Sequence, residues 1–506
     1  MRTFITRRRI ETAETDGALN ISMHPGFGTP RAAIVYAMTN NSAVNANSSS
    51  LTAPSMSVGF MASLTGGAGF TTRCSGWQAN REDPALTERF FFTDGTCAYD
   101  ANNAGTVTRK WLASGFGNDI IFGSLVETGT QTDPLDLLII AFAGDGVSAA
   151  VGSITLSNTQ DTTAAITNLG FAPDAVFLTY QPSTTNFSTS ATLSFGAGSK
   201  AWSGFGVSGQ GCKSTQFTSG ADPSALSAFV SNTRIARSTV STALSFELTG
   251  FSGVGFTITT RGATAGANTT YWLALKSKSP RNFYVSGFQT YGVAVGNTSL
   301  PLPFASQLVL GQLSADNVFD TVDTTDDGAT CNLFAGIGHS SKNHTGTGTI
   351  TSSTANATIT GTGTSFRQQI SIGDTLYNSS FQRIGTVSAI GSETSITLAA
   401  NSAVTQSPTA AYYYDKTLQY NFNFYADDDN NTVDGAMRTR IGDQLFFNGT
   451  ALTPTTRVSG QMQNILNRNL LPYVLTTTTG VRNGWIMAIA DDEGGNEYCR
   501  GIEDIN

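Results

Sequence analysis

An acidic loop holds the clearest set of potential metal ligands in this chain of 506 residues. Residues 425–437 read YADDDNNTVDGAM, and their ligand-type side chains are Asp427, Asp429, Asn431 and Asp434. Carboxylate and amide oxygens at alternating positions are ligands that Ca²⁺ takes in proteins. The loop departs from an EF-hand, because Thr432 stands at the glycine position and Arg438 at the bidentate glutamate position. We favour a solvated turn with no cofactor and keep Ca²⁺ at these four residues as the alternative.

A second acidic stretch and three histidines complete the potential ligands. DTTDDGATC at 323–331 contains Asp323, Asp326 and Asp327, and a solvated turn is again the favoured interpretation. The histidines are His24, His339 and His344. His339 and His344 could bracket a metal, but no cysteine or carboxylate cluster with ligand spacing accompanies them in the sequence. We therefore expect loop histidines exposed to solvent.

Catalytic signatures do not stand out in the sequence. No G-x-S-x-G nucleophile motif occurs, and the GAGF and GDG words lack the strand-loop-helix context of a phosphate loop. Two carboxylates flanking a glycan-binding groove remain an alternative, as in polysaccharide depolymerases. Those enzymes are more often built from short, regular coils, whereas the sequence repeat in this chain, described below, has a far longer period. The expectation is a protein without enzymatic activity.

The five cysteines are widely spaced and contain no C-x-x-C pair. They are Cys74, Cys97, Cys212, Cys331 and Cys499. An odd count behind an N-terminus without a secretion signal predicts free thiols in a protein assembled in the cytoplasm. A disulfide between Cys74 and Cys97, across neighbouring strands, is the alternative.

Composition favours strands and gives little sign of nucleic-acid binding. Only 13% of residues are charged, the net charge is −8, and phenylalanine occurs 31 times. Few helix-favouring residues and many Gly, Ser, Thr and Asn residues predict short strands joined by turns. The basic start, MRTFITRRRI, precedes no apolar segment, so we expect neither a signal peptide nor a twin-arginine signal. No apolar run reaches the length of a transmembrane helix.

Two phrases near opposite ends of the chain resemble each other. Residues 88–99 read ERFFFTDGTCAY and residues 443–454 read DQLFFNGTALTP. Asp94-Gly95 and Asn448-Gly449 are dipeptides that suit a type I′ turn, and the preceding aromatic residues favour strands. Each phrase therefore predicts a tight β-hairpin.

Other markers recur in the same order three times. GFGTPRAAIVY (26–36), GFAPDAVFL (170–178) and LPFASQLVLG (302–311) each lead into an apolar run. Each of the three copies ends in an apolar strand, and these strands are DLLIIAFAG (136–144), YWLALKSK (271–278) and GWIMAIADD (484–492). The number of residues from Ala33 to Ala175 is similar to the number from Ala175 to Gln307. The order and spacing of the markers predict an internal repeat.

The resulting expectation is an all-β fold with three tandem antiparallel β-sandwich-like domains, the third interrupted by a small β-module. The expected segments are an N-terminal arm (1–25), repeat 1 (26–165), repeat 2 (166–295), repeat 3 (296–344 plus 415–506) and the module (345–414). Nearly continuous apolar strands such as AAIVY predict burial on both faces, in a sandwich core or under a neighbouring subunit. SFELTGFSGVGFTITT (245–260) predicts one wet face, and residues 459–475 predict a helical turn or two ending at Pro472.

The inserted segment resembles a small β-module of bacteriophage tail and fibre proteins. Its words are NATITGTGTSF (356–366), SIGDTLY (371–377) and VSAIGSETSITLAA (387–400). The matching positions are Ala357, Thr360, Gly361, Gly363, Thr364, Phe366, Gly373, Asp374, Ile390, Ser392, Thr394, Ile396 and Leu398. Glu393 stands where the family usually has aspartate. The larger repeat is similar to tailed-phage proteins with a G-F-x-P-x-A-x-x-F word.

These resemblances imply a structural protein of the bacteriophage virion, assembled in the host cytoplasm. A fibre or tail appendage is the first placement, and a capsid-surface, collar or neck decoration protein is the second. The implied partners are copies of the chain in a symmetric homo-oligomer, other virion proteins and host surface glycan, without nucleic acid or membrane insertion. A glycan-binding adhesin or depolymerase is the remaining alternative.

Overall fold

A computed structural model describes most of the chain, with gaps at connecting segments and at the C-terminus. The described residues are 1–23, 27–42, 51, 55–63, 69–79, 88–101, 106–129, 133–181, 190–218, 227–238, 244–262, 268–290, 296–304, 306–313, 319–320, 322–323, 333–370, 374–406, 410–425, 438–442, 446–449, 456–462, 470–478 and 482–490.

Strands dominate the described residues. The exceptions are one helical turn, α1 (Phe366–Gln369), and a 3-10 turn at Pro280–Asn282. The strands pair antiparallel, and the main sheets form three face-to-face pairs along the chain. The all-β fold of three tandem sandwiches, with the third interrupted by a small module, is confirmed.

The first sandwich uses the N-terminal 143 residues, including most of the segment expected to be an arm. Its strands are β1 (Arg2–Ile10), β2 (Gly17–Ala18), β3 (Ile21–Ser22), β4 (Pro30–Thr39), β5 (Ser55–Ser63), β6 (Phe70–Ala79), β7 (Glu88–Asp94), β8 (Ala98–Ala101), β9 (Val107–Gly117), β10 (Ile120–Glu127) and β11 (Leu135–Ala143). Its large sheet has the order β1-β11-β4-β5-β6-β7 and its small sheet β2-β10-β9-β8, with β3 also on β10. Residues 1–25 are thus not a separate arm, because β1 is hydrogen-bonded along its whole length to β11.

The second sandwich repeats this arrangement. Its strands are β12 (Ser148–Leu156), β13 (Thr163–Ile166), β14 (Ala175–Gln181), β15 (Ser190–Lys200), β16 (Val207–Thr218), β17 (Ser227–Ser231), β18 (Ala236–Arg237), β19 (Ser245–Ser252), β20 (Gly255–Arg261) and β21 (Asn268–Lys276). The large sheet has the order β12-β21-β14-β15-β16-β17 and the small sheet β13-β20-β19-β18.

The third sandwich has the same strand order around the insertion. Its strands are β22 (Phe283–Thr290), β23 (Gly296–Pro301), β24 (Leu308–Leu313), β25 (Val322–Asp323), β26 (Leu333–Thr345), β32 (Tyr412–Tyr425), β33 (Arg438–Gly442), β34 (Phe446–Gly449), β35 (Thr456–Met462), β36 (Leu470–Thr478) and β37 (Arg482–Ile489). The large sheet has the order β22-β37-β24-β26-β32-β33 and the small sheet β23-β36-β35-β34, while β25 pairs with β17 of the second sandwich.

The inserted module lies between β26 and β32. It contains β27 (Thr349–Thr351), β28 (Thr358–Thr362), α1, β29 (Thr375–Asn378), β30 (Arg383–Ser392) and β31 (Ser395–Leu398). The module has its own apolar core around Ile359 and Phe366, and β29 joins it to β32. Glu393, the departure from the usual aspartate, accepts a hydrogen bond from the backbone N–H of Arg367 at 3.1 Å.

The position of the first strand shows where each copy begins. β1, β12 and β22 occupy the same edge of their large sheets, next to the last strand of each copy. Each precedes the Gly-Phe or Pro-Phe marker by which the repeat was recognised. The expected boundaries at 165/166 and 295/296 therefore fall after β12 and β22, which are paired in the second and third sandwiches respectively.

The three large sheets enclose one shared apolar core. In β4, Ile34 and Tyr36 belong to this central core, whereas Ala33 and Val35 belong to the core of the first sandwich. β11 alternates in the same way, with Ile140 in the central core. Successive strand residues point to opposite faces, so a strand between two cores is apolar at every position. One face of these strands packs in the core of their own sandwich. The other two sandwiches of the same chain cover the second face.

The central core also corrects the repeat alignment by one residue. Ala32, Ala175 and Leu308 all face the central core, whereas Ala33 faces the first sandwich core. The alignment of Ala33, Ala175 and Gln307 therefore mixes the two faces, since a shift of one residue reverses the direction of a strand side chain.

The expected hairpin at Asp-Gly is wrong, and at Asn-Gly the two strands do pair but the turn is not at Asn448-Gly449. Gly95 does adopt positive φ (83°), but β7 pairs with β6 and β8 pairs with β9. The turn at Gly95 therefore carries the chain from the large sheet to the small sheet. Asn448 and Gly449 lie within β34, whose partner β35 begins only at Thr456.

Two further expectations have opposite outcomes. Residues 459–462 and 470–475 belong to β35 and β36, so the expected helical turn is wrong at both ends of 459–475, and residues 463–469 lie outside the described residues. The wet-faced strand at 245–260 is confirmed, because Phe246, Leu248 and Phe251 all lie in the second sandwich core. A bulge between Leu248 and Gly250 shifts the alternation by one residue.

Candidate functional site

Polar contacts join the second sandwich to the first. The hydroxyl groups of Ser75 and Thr179 lie 3.0 Å apart in buried surroundings. The Gln181 side-chain amide donates a buried hydrogen bond of 3.0 Å to the carbonyl oxygen of Gly76. Hydrogen bonds shielded from water fix the register of a contact more strictly than apolar packing does.

The third sandwich packs on the second through β22, which lies against β15 and β16. The Val285 N–H donates to the Ser199 hydroxyl at 3.2 Å, and the rings of Phe195 and Trp485 lie 6.0 Å apart. Gly209 lies directly under Val285, and a Cβ atom at this glycine would overlap the Val285 carbonyl oxygen. Glycine is needed here because two backbones approach closely.

A variant at this contact tests the packing of the third sandwich. We expect Gly209→Ala to lower the free energy of unfolding by about 1–3 kcal/mol, because the methyl group forces the two strands apart. Gly206→Ala is the matched control, since its nearest neighbour would be the Ala201 Cβ at 3.8 Å. Urea unfolding of both variants measures the difference, and equal stabilities would contradict the contact.

His339 marks the contact between the third sandwich and the first. Its imidazole is buried, and burial lowers its pKa from the usual 6.5 to about 4. The backbone of Thr3, in β1, faces the ring and acts weakly in the opposite direction on that pKa. Neither ring nitrogen has a hydrogen bond of full geometry. With the first two contacts, this one closes the three sandwiches into a ring.

Acid should loosen this ring through His339. Between pH 6.5 and pH 4 the unfolded chain binds a proton at this position and the folded chain does not. The stability present above pH 6.5 is therefore lost as pH falls, by about 3 kcal/mol at most. We expect the pH dependence of urea unfolding over this window to be shallower in His339→Leu. Parallel profiles for the variant and the unmodified chain would contradict this role.

Most of the proposed metal ligands lie in parts of the chain that the structure does not describe. Asp427, Asp429, Asn431 and Asp434 lie outside the described residues, as do His24, Asp326 and Asp327; Asp323 falls in β25. Within the described ranges, no group of three or more His, Cys, Asp or Glu side chains has the geometry to hold a metal ion. His339 and His344 are both buried in β26 rather than exposed, and His344 stacks on Tyr414 with ring centroids 5.0 Å apart.

The three described cysteines are buried free thiols. They are Cys74, Cys97 and Cys212; Cys331 and Cys499 lie outside the described residues. Burial raises the pKa of Cys97 and of Cys212 to about 12, and raises that of Cys74 as well. A thiol with a raised pKa is a poor nucleophile at neutral pH. The free-thiol expectation is confirmed for these three residues, and the Cys74–Cys97 disulfide is not formed.

Exposed apolar side chains concentrate beside hairpin turns. The large ones among the described residues are Phe122, Trp202, Phe205, Val254 and Phe381. The C-terminal ends of β5, β15 and β26 lie at one end of the ring, which we call the hairpin end. Val285, early in β22, meets Ser199, late in β15, so adjacent sandwiches point the same way. The β19–β20 turn reaches this end as well, since the Phe251 N–H donates to the Phe205 carbonyl oxygen at 2.8 Å.

Sequence reasoning missed the hairpin end. The word that forms its β15–β16 turn is KAWSGFGVSG (200–209). Aromatic residues separated by Gly and Ser just after a strand are the signal that could have identified it, because such residues in a turn have no core to enter.

Comparison with models of known protein families and with curated proteins found no match for this chain. Among the described residues, no helix has the length and apolar character needed to cross a membrane.

Proposed function

We propose that this protein is a structural component of a bacteriophage virion, most simply a fibre or tail appendage that contributes to particle architecture and host attachment. The observation that carries the proposal is the closed ring of three equivalent sandwiches around one core. A unit in which every large sheet is covered on both faces has few parts free to move. Rigidity of this kind suits a building element exposed outside a cell.

The inserted module supports the fibre or tail placement. It extends from the hairpin end through the β26–β32 connection, where the other two sandwiches have short connections. Its resemblance to a module of phage tail and fibre proteins rests on words such as GTGTSF. Gly363 in that word has positive φ (65°), which explains the glycine physically.

The proposed partners are other virion proteins first and further copies of the chain second. Flat apolar strands were the sequence evidence for a homo-oligomer, and those strands are covered within one chain. Any symmetric assembly would therefore use the ends of the ring or the small sheets.

Two alternatives keep specific support. A capsid-surface, collar or neck decoration protein would use the same rigid ring without host binding. A glycan-binding adhesin is favoured by the exposed aromatic residues at the hairpin end. A depolymerase would in addition need two carboxylates facing a groove.

Labelling of phage particles tests the proposal. An antibody against this chain, seen by negative-stain electron microscopy, should decorate one defined place on purified particles. Label at the tail or its fibres supports the first placement, and label on the capsid or neck supports the decoration alternative. Particles without any label would overturn the virion function.

A further inference from the structure

The β15–β16 connection presents two aromatic rings to solvent. Trp202 is 40% exposed and Phe205 is 52% exposed, although most Trp and Phe side chains of known placement in this chain are buried. Exposed aromatic residues that share one short connection are the usual mark of a binding surface.

Backbone hydrogen bonds hold this connection in place. The Ala201 N–H donates to the Gly206 carbonyl oxygen at 2.6 Å, and Phe251 of the next hairpin donates to the Phe205 carbonyl oxygen. Gly204 takes positive φ (80°) in the middle of the turn. The two rings are therefore carried by a preformed loop, which loses little entropy when a ligand binds.

Cations lie beside both rings. The Lys200 ammonium group lies 5.6 Å from the Phe205 ring centroid, and it is also paired with Asp174 at 3.0 Å. The Arg281 guanidinium group lies 5.5 Å from the Trp202 ring centroid. Arg281 is exposed, and it comes just after the last strand of the second sandwich.

The end of β21 and the connection from β21 to β22 carry more positive charge than the chain as a whole. Lys276 and Lys278 precede Arg281, and one carboxylate, Asp145, belongs to the turn that meets Lys278. With Lys200 balanced by Asp174, the local charge is positive, whereas the net charge of the chain is −8. A positive patch on an acidic protein attracts an anionic ligand.

We propose that Trp202, Phe205 and Arg281 form a binding site for acidic polysaccharide at the hairpin end. The C–H groups of a sugar ring pack on the electron-rich face of an aromatic ring. A sugar carboxylate meets the planar guanidinium group of Arg281, which can form two parallel hydrogen bonds with it. The site gives the host-attachment part of the proposed function its ligand class, and it rests on that function only for its biological setting.

Calorimetric titration of the full-length chain tests the site. The probes are alginate, polysialic acid and hyaluronate, with neutral dextran as the uncharged comparison. We expect at least one acidic polymer to bind and dextran not to bind. Trp202→Ala and Phe205→Ala should each weaken binding about tenfold, which corresponds to the loss of one stacking contact. Arg281→Gln should weaken binding and flatten its dependence on salt.

Matched variants separate this site from general stickiness. Phe122 and Phe381 are 42% and 55% exposed, so Phe122→Ala and Phe381→Ala remove comparable apolar surface elsewhere. Both should bind like the unmodified chain. The site is overturned if no acidic polymer binds, if dextran binds equally well, or if the Trp202 and Phe205 variants keep full affinity.

The outcome is independent of particle labelling. Polysaccharide binding without label on phage particles would retain the site and overturn the virion function. Labelled particles with no polysaccharide binding would retain the virion function and overturn the polysaccharide site. A neighbouring virion protein would then be the partner of the exposed rings.

Discussion

Replacing Phe195 with alanine is expected to lower the free energy of unfolding by about 3–5 kcal/mol and to uncouple the three sandwiches. The Phe195 ring is the meeting point of the central core. It lies 5.7 Å from the ring of Tyr36 in the first sandwich, 6.5 Å from Phe177 in its own sandwich and 6.0 Å from Trp485 in the third. Its removal leaves a cavity bordered by all three repeats.

Hydrogen exchange resolved by peptide distinguishes this effect from ordinary loss of stability. Phe195→Ala should raise exchange in β4 of the first sandwich and β37 of the third, as well as in β15. Phe256→Ala is the control, because Phe256 is equally buried but packs on Trp272 inside the second sandwich. Its effect should be confined to the second sandwich. The same exchange pattern in both variants would contradict a shared core.

Replacing Asp100 with alanine should also lower the free energy of unfolding by about 3–5 kcal/mol, because it leaves a buried cation without its counter-ion. Arg109 is fully buried, and it donates hydrogen bonds to the Asp100 carboxylate at 3.0 Å and to the Asp133 carbonyl oxygen at 2.7 Å. The Ser55 hydroxyl donates to the same carboxylate at 2.7 Å.

A double variant separates the worth of this pair from the penalty of breaking it. Asp100→Ala with Arg109→Met removes both charges and should recover much of the lost stability. Glu14→Ala is the exposed comparison, since Arg8 and Glu14 form a partly exposed pair at 2.7 Å, and should change stability by less than about 1 kcal/mol. Urea unfolding measures all three, and a double variant less stable than Asp100→Ala would contradict the argument.

The repeat was predictable from sequence because apolar strands with fixed flanking residues recur with the fold. Burial of strands such as AAIVY on both faces was also predictable, since every residue in them is apolar. What covered the second face was not. An apolar sequence pattern indicates that a strand face is buried. The pattern is the same whether a neighbouring subunit or a neighbouring repeat covers that face.

Connections were the least predictable part of the fold. Gly95 takes the positive φ that an Asp-Gly turn suggests, but the chain leaves its sheet there instead of reversing. The residue types in a turn determine its backbone dihedral angles. Packing between residues far apart in the sequence determines which strand becomes the partner. The same limit applies to His339, which we expected in a solvent-exposed loop because no other potential ligands lie near it in the sequence, and which lies in a strand against Thr3.

The candidate site was hidden for a different reason. Trp202, Phe205 and Arg281 belong to two connections about eighty residues apart, and only the fold brings them together. The acidic residues singled out first, Asp427, Asp429, Asn431 and Asp434, lie outside the described residues, so Ca²⁺ binding there stays a prediction.

Small-angle X-ray scattering of the purified chain, recorded as it elutes from a sizing column, tests the closed ring most directly. A single chain folded around one core should have a molar mass near 53.1 kDa and a radius of gyration of about 23 Å, the value expected for a compact body of this length. An elongated scattering profile at the mass of one chain, with a clearly larger radius, would show three separate sandwiches in a row and contradict the shared core.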